Sequence, residues 1–206
     1  MRSTAPRARL AAPLLAALAI GCLGQSPQPE FYTLSAASGA AGGEPLASRP
    51  DLGLVVGPIE FPRYLDRAEI VTRDGSHQLI LADDHRWGGS LRTDILRVVA
   101  DDLGRLLGTA RVAIYPAEPR FPTAFRVLLD VREFEGIAGG TIVLRVRWTI
   151  AKADDGRALA VEESRIEQPV ASTSFEDLVA AESAALGTLN RQIGRASCRE
   201  RVFRTV

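Results

Sequence analysis

Phe61-Pro-Arg-Tyr-Leu-Asp-Arg-Ala-Glu-Ile-Val-Thr-Arg73 opens the stretch, running on to Gly108, whose reading decides the fold. Pro62 has no amide proton to give to a central ladder, so a strand over 54–59 is expected to stop near it. A bend carrying Tyr64, Leu65, Asp66 and Arg67 follows, and Ala68 to Arg73 resumes in extended form. Asp74-Gly75 supplies a turn whose glycine tolerates positive φ, and His77 to Asp83 returns as the second arm of a hairpin. From Ser90 the period changes. Leu91, Ile95, Val98, Val99, Leu103, Leu106 and Leu107 recur at helical spacing, with Arg92, Asp94, Arg97, Asp101, Asp102 and Arg105 on the opposite side, which predicts an amphipathic helix. Ser90 with Asp94 lies near the spacing of a capping box, and Gly108 suits a C-terminal stop. So long an apolar stripe has to be buried on a sheet.

The remaining chain supplies that sheet. Phe31 to Leu34 reads as an edge strand, and Arg111 to Tyr115 as a short strand closed by Pro116. Phe125, Val127, Leu129 and Val131 alternate with Arg126, Asp130 and Arg132, the period of a half-buried strand. After a turn over Gly136 to Gly140, Ile142, Leu144, Val146, Trp148 and Ile150 alternate with Arg145, Arg147 and Thr149 and should pair antiparallel with it. Asp154-Asp-Gly156 turns the chain again, and Ala158 to Gln168 returns as a more polar strand near an edge. Ser174 with Asp177 forms a capping box ahead of a second helical stripe of Phe175, Leu178, Val179, Leu186, Leu189 and Ile193. The expected class is α+β: a single mixed, largely antiparallel sheet of about seven strands with two main helices packed on it.

Three separated blocks carry a resemblance: Tyr64-Leu-Asp-Arg67, then Ile70-Val-Thr-Arg73, then Trp87 shortly before the Leu-rich helix. In that order they resemble the ABC-type transport auxiliary lipoproteins of the PqiC type, and the likeness runs from Phe31-Tyr-Thr-Leu34 to about Gln192. Trp87-Gly-Gly-Ser-Leu91 departs from the family, where many relatives place Ala, an acidic residue and Pro between Trp and Leu. The resemblance implies a non-catalytic outer-membrane lipoprotein subunit of an envelope lipid transport system. Its partners would be a mammalian-cell-entry domain protein, docked in the periplasm, and the associated ABC-type permease system, with no ATP bound by this chain.

The N-terminus agrees with an anchored protein. Arg2, Arg7 and Arg9 precede an apolar run from Leu10 to Ile20, then Gly21 and Cys22, which is the order of a signal peptide. The run is well short of the roughly twenty residues that a permanent membrane span needs. Leu18-Ala-Ile-Gly-Cys22 resembles a bacterial lipobox, which makes Cys22 the acylated first residue after removal of 1–21. A plain secretory signal with a chance cysteine is the competing reading. Leu23, rather than Asp, after the cysteine resembles outer-membrane sorting, with the protein lipid-anchored in that bilayer and facing the periplasm. Residues 22–50 are rich in Ser, Gly, Ala and Pro and read as lipidated N-terminus, tether and loop around the short strand.

With 206 residues and no repeats, the chain has material for one domain, placed at 51–192. Lys plus Arg and Asp plus Glu are 25 each, so no net field draws nucleic acid. His77 and His85 lack the spacing of a zinc site, and Asp83, Asp84 and His85 read as a solvated loop rather than a metal site. Gly136 to Gly140 joins two strands and aims no helix amides at a phosphate. There is no Gly-x-Ser-x-Gly elbow for a nucleophile. The expectation is no enzyme, no metal and no cofactor. Ile193 to Val206 abandons the stripe at Gly194, and Ile-Gly-Arg-Ala-Ser-Cys-Arg-Glu-Arg-Val202 resembles the translation of a common sequencing adapter, so 193–206 reads as a non-native tail. Cys198 falls in that tail, leaving no disulfide.

Candidate partner-binding residues are Tyr64, Arg67 and Trp87, types that anchor interfaces through large area or bidentate bonding. The same block admits a structural reading, with Asp66 accepting backbone hydrogens in the bend and pairing with Arg67 or Arg73. Ala180, Ala181, Ala184 and Ala185 fit close packing inside the domain or a contact within a homo-oligomer. Two functional alternatives remain, a periplasmic lipoprotein that binds a lipid or small molecule on its own and a secreted hydrolase.

Overall fold

The computed structural model describes residues 28–36, 44–75 and 77–199. Eight strands and two helices follow in the order β1 (Glu30–Tyr32), β2 (Leu54–Glu60), β3 (Glu69–Asp74), β4 (Gln78–Trp87), α1 (Leu91–Leu107), β5 (Val112–Ile114), β6 (Phe125–Gly136), β7 (Thr141–Lys152), β8 (Ala158–Pro169) and α2 (Phe175–Cys198). The long ladders are antiparallel, a β6–β7–β8 meander and the β3–β4 hairpin. The short ladders are parallel: β1 on β4, and β2 on both β5 and β6. The sheet is therefore mixed, as expected.

β2 and β3 lie along the same edge of β6. β2 matches Leu54 to Phe125 and Glu60 to Asp130, and β3 touches the far end at Thr72 and Gly136. They behave as one long strand interrupted by residues 61–68, the motif-bearing bend. Opposite that interruption, the β6–β7 register shifts between Val131 and Glu133. The bulge turns over the alternation of β6: Phe134, beside Leu144, enters the core, and Glu135, beside Val143, is buried on the other face under Tyr64 and Arg73.

Both helices bury the stripe that their spacing predicts. Leu91, Ile95, Val98, Val99, Leu103, Leu106 and Leu107 of α1 are in the core, as are Leu178, Leu186, Leu189 and Ile193 of α2. Ser90 caps α1 by accepting from the Thr93 amide, whereas Asp94 turns away from a capping box and accepts from the Leu34 amide while pairing with Arg97. Gly108 ends α1 in the left-handed conformation, φ 64°, where a Cβ would meet the Ala47 carbonyl. Ser174 caps α2 through the Asp177 amide.

Two expectations change. Asp83, Asp84 and His85 are not a loop: β4 continues to Trp87 because β1 lies beside it, matching Glu30 to His85 and Tyr32 to Trp87. Gly194 does not stop α2. The helix runs on to Cys198 with Ile193, Gly194, Ala196 and Ser197 buried, because Gly194 is where Leu46 and α1 come close; a Cβ there would lie 3.0 Å from Leu46 Cδ1 and 3.6 Å from Leu106 Cδ1. Cys22 lies outside the described residues.

Candidate docking surface

The bend at 61–68 is braced from three sides. Within it, the Leu65 amide donates to Pro62 O at 3.0 Å and the Arg67 amide to Leu65 O at 3.0 Å, and the Leu65 side chain is buried. From α1, Arg92 reaches across: Nη1 donates to Ile59 O at 2.8 Å, Nη2 to Asp66 Oδ2 at 3.0 Å, and the guanidinium sits 5.6 Å from the Phe61 ring centroid. From β6, Glu135 accepts from Tyr64 Oη at 3.0 Å, from Arg73 Nε at 3.2 Å and from the Phe134 amide at 2.9 Å, with Arg73 Nη2 closing an ion pair. A buried carboxylate is tolerated only when its lone pairs are filled in this way. Burial, and after it the neighbouring Glu135 carboxylate, push the Tyr64 phenol well above its ordinary value, so it stays a donor.

This geometry separates the three candidate residues. Tyr64 is half-buried and tied to Glu135, so most of what it does is hold the bend against β6. Trp87 is 4 % exposed, and its amide donates to Ala68 O at 2.7 Å where the bend rejoins β3. It packs in the core and presents little side-chain area to a partner. Arg67 alone of the three is exposed, with no side-chain bond among the described residues. Arg63, Asp66 and Ala68 are exposed beside it. Asp66 takes Arg92 as its partner, and Arg73 takes Glu135, instead of pairing with each other. The sequence reading missed Arg92, which looks like one more charge on the polar side of α1, and Glu135, whose burial depends on the bulge.

The Gly88 amide donates to Tyr32 O at 2.7 Å, so the departure after Trp87 sits where β1 is pinned. The outer face of the meander carries ion pairs, among them Arg145 with Glu133 and Arg165 with Glu167. Among the described residues no three His, Cys, Asp or Glu side chains form a metal site, and no helix is long and apolar enough to cross a membrane. An open depression of about 600 Å³ lies at the start of β2 and β6, lined by Arg49, Asp51, Leu52, Pro122 and Phe125 among others.

No curated protein matches the chain. Among solved structures, a crystal structure of an uncharacterized protein is similar over 82 % of this chain and 98 % of its own, at 17 % identity and a TM-score of 0.66. A protein from Xanthomonas campestris is similar over 80 % and 92 %, at 18 % identity and 0.61. The PelC dodecamer of Paraburkholderia phytofirmans covers 71 % and 92 % at 15 % identity, but its TM-score of 0.36 is too slight to carry anything about assembly across. The first two likenesses show a shared fold. The family model described as ABC-type transport auxiliary lipoprotein component matches residues 32–194, from the end of β1 to the last turns of α2, and the chain belongs to that family.

Proposed function

We propose that this chain is a non-catalytic, acyl-anchored subunit of an envelope lipid transport system, held at the outer membrane through Cys22 and docking a mammalian-cell-entry domain protein in the periplasm. Family membership over 32–194 carries the reading, because it makes the chain an auxiliary component of ABC-type transport. The bend at 61–68 supports it in a second way. A loop braced by Arg92 and Glu135 fixes the backbone from which the exposed Arg67 projects, and its planar guanidinium is left open to a partner carboxylate or carbonyl. Tyr64 and Trp87 contribute by holding that loop.

The test is Arg67→Ala in the full chain, with affinity for the mammalian-cell-entry protein and the melting temperature measured on the same preparation. Binding should weaken by more than about tenfold, the scale of an interface anchor, with the melt unchanged. Unchanged affinity would remove this loop from the interface. Lipid co-purifying with the full chain in the absence of any partner would instead favour a lipid-binding lipoprotein acting alone.

A further inference from the structure

The β3–β4 arm carries an apolar pair that the fold does not use. Ile80 and Leu81 are consecutive in β4, so they point to opposite faces of the arm, yet they are 42 % and 43 % exposed. Among the described residues only β3 pairs with β4 at that point. Phe31, on β1, is 64 % exposed.

The direction of the arm follows from the parallel β1–β4 register. Glu30 lies beside His85 and Tyr32 beside Trp87, so the chain that precedes Glu30 enters from the Gln78 end of β4. That end is the turn of the hairpin, where Asp74 pairs with Gln78. From His85 to Gln78 the arm is about 20 Å long at strand rise. Cys22 is eight residues before Glu30, a contour of at most about 28 Å. An acylated Cys22 thus holds the bilayer surface within about 28 Å of Glu30, a span that includes the arm.

We infer that the β3–β4 arm is a second membrane contact, entering a zwitterionic phospholipid interface end-on so that Ile80 on one face and Leu81 on the other both meet lipid beside the acyl anchor. The inference rests on the reading of Cys22 as acylated. The charge of the arm selects the surface: Asp74 and Asp83 are exposed and Glu69 and Asp84 half-exposed, against Arg86 and an Arg73 occupied by Glu135. Anionic headgroups would be repelled, while a neutral interface accepts exposed aliphatic side chains flanked by carboxylates.

The acylated full-length protein, reconstituted in vesicles of phosphatidylethanolamine and phosphatidylcholine, carries the test. Trp87 and Trp148 are buried and set a constant background. Leu81→Trp, with Ile80→Trp as the second variant, adds a reporter on the arm, and Val161→Trp adds one on β8, across the sheet. Lipids brominated on the acyl chain should quench the arm reporter at least twofold and leave the β8 reporter unquenched, with little change in high salt. Both arm reporters unquenched, or arm and β8 reporters quenched alike, overturn the inference. Mass measurement of the N-terminal peptide in the same preparation separates the causes: a missing acyl group overturns the lipoprotein reading together with this one, whereas a present acyl group with unquenched arm reporters overturns this one alone.

Discussion

Glu182 stands four residues after Leu178 and four before Leu186, in the middle of the stripe that α2 turns to the sheet. It is 1 % exposed, and its Oε2 finds no hydrogen-bond partner among the described residues. Burial drives its carboxyl well above the ordinary carboxylate range, and the Glu135 carboxylate adds in the same direction. The folded chain therefore holds this proton more tightly than the unfolded chain does. Stability from the group is complete below the unfolded value, about 4.3, and is lost as pH rises from there toward the folded value. Glu182→Leu should stabilise the protein at neutral pH by about 1–3 kcal/mol, the cost of an unpartnered buried polar group. Melting curves between about pH 4 and pH 8 check both points. The gap between variant and wild type should widen with pH, and parallel curves would show that Glu182 ionises in the folded state at no cost. The position of this residue was legible from spacing alone, since it interrupts an apolar stripe. That of Glu135 was not: strict alternation along β6 gives no sign of the bulge that turns Phe134 into the core and Glu135 to the other face, under Tyr64 and Arg73.

At the scale of elements, local patterns served where each strand or helix is shaped by its own sequence. The two stripes, the meander and the hairpin are of that kind. They failed where a neighbour distant in sequence decides the outcome. β4 extends through Asp83-Asp-His85 because the three residues of β1 pair with it, and His85 stacks on Phe175 at 3.9 Å between ring centroids. α2 passes Gly194 because Leu46 and Leu106 crowd that side of the helix, which turns a helix breaker into a site of close approach. The family match ends at Gly194, inside the stretch 193–206 whose sequence reads as an adapter-like tail. Packing nevertheless starts before that point. Ile193 is fully buried, so a chain ending at Gln192 should lose about 2–5 kcal/mol, the range for emptying an aliphatic core position. Denaturant midpoints of the two lengths decide it, and coincident curves would mean that the last turns of α2 only rest on the domain.

At the scale of the molecule, the site followed the fold in being half legible. The order of the motif blocks pointed to the family, but residue type alone ranked Trp87 with Arg67 as a surface anchor, and only the packed structure separates a core indole from an exposed guanidinium. In the proposed reading location turns on Cys22, which lies outside the described residues. Among the described residues no helix is long and apolar enough to cross a membrane, and in the proposed reading stable attachment comes from the acyl chains. Each buried methylene contributes about 0.8 kcal/mol; one chain binds marginally, and two or three on one residue bind stably. Cys22→Ser should therefore move the protein from the membrane fraction to the soluble fraction and abolish incorporation of labelled fatty acid, with the melting temperature of the domain unchanged because no packed residue is altered. The arm at Ile80 and Leu81 sets the expected remainder: two aliphatic side chains give weak, reversible binding that a wash removes. A Cys22→Ser protein that still sediments with outer membrane after washing, and still carries label, would show that the anchor is elsewhere and that the lipobox at Leu18 to Cys22 has been misread.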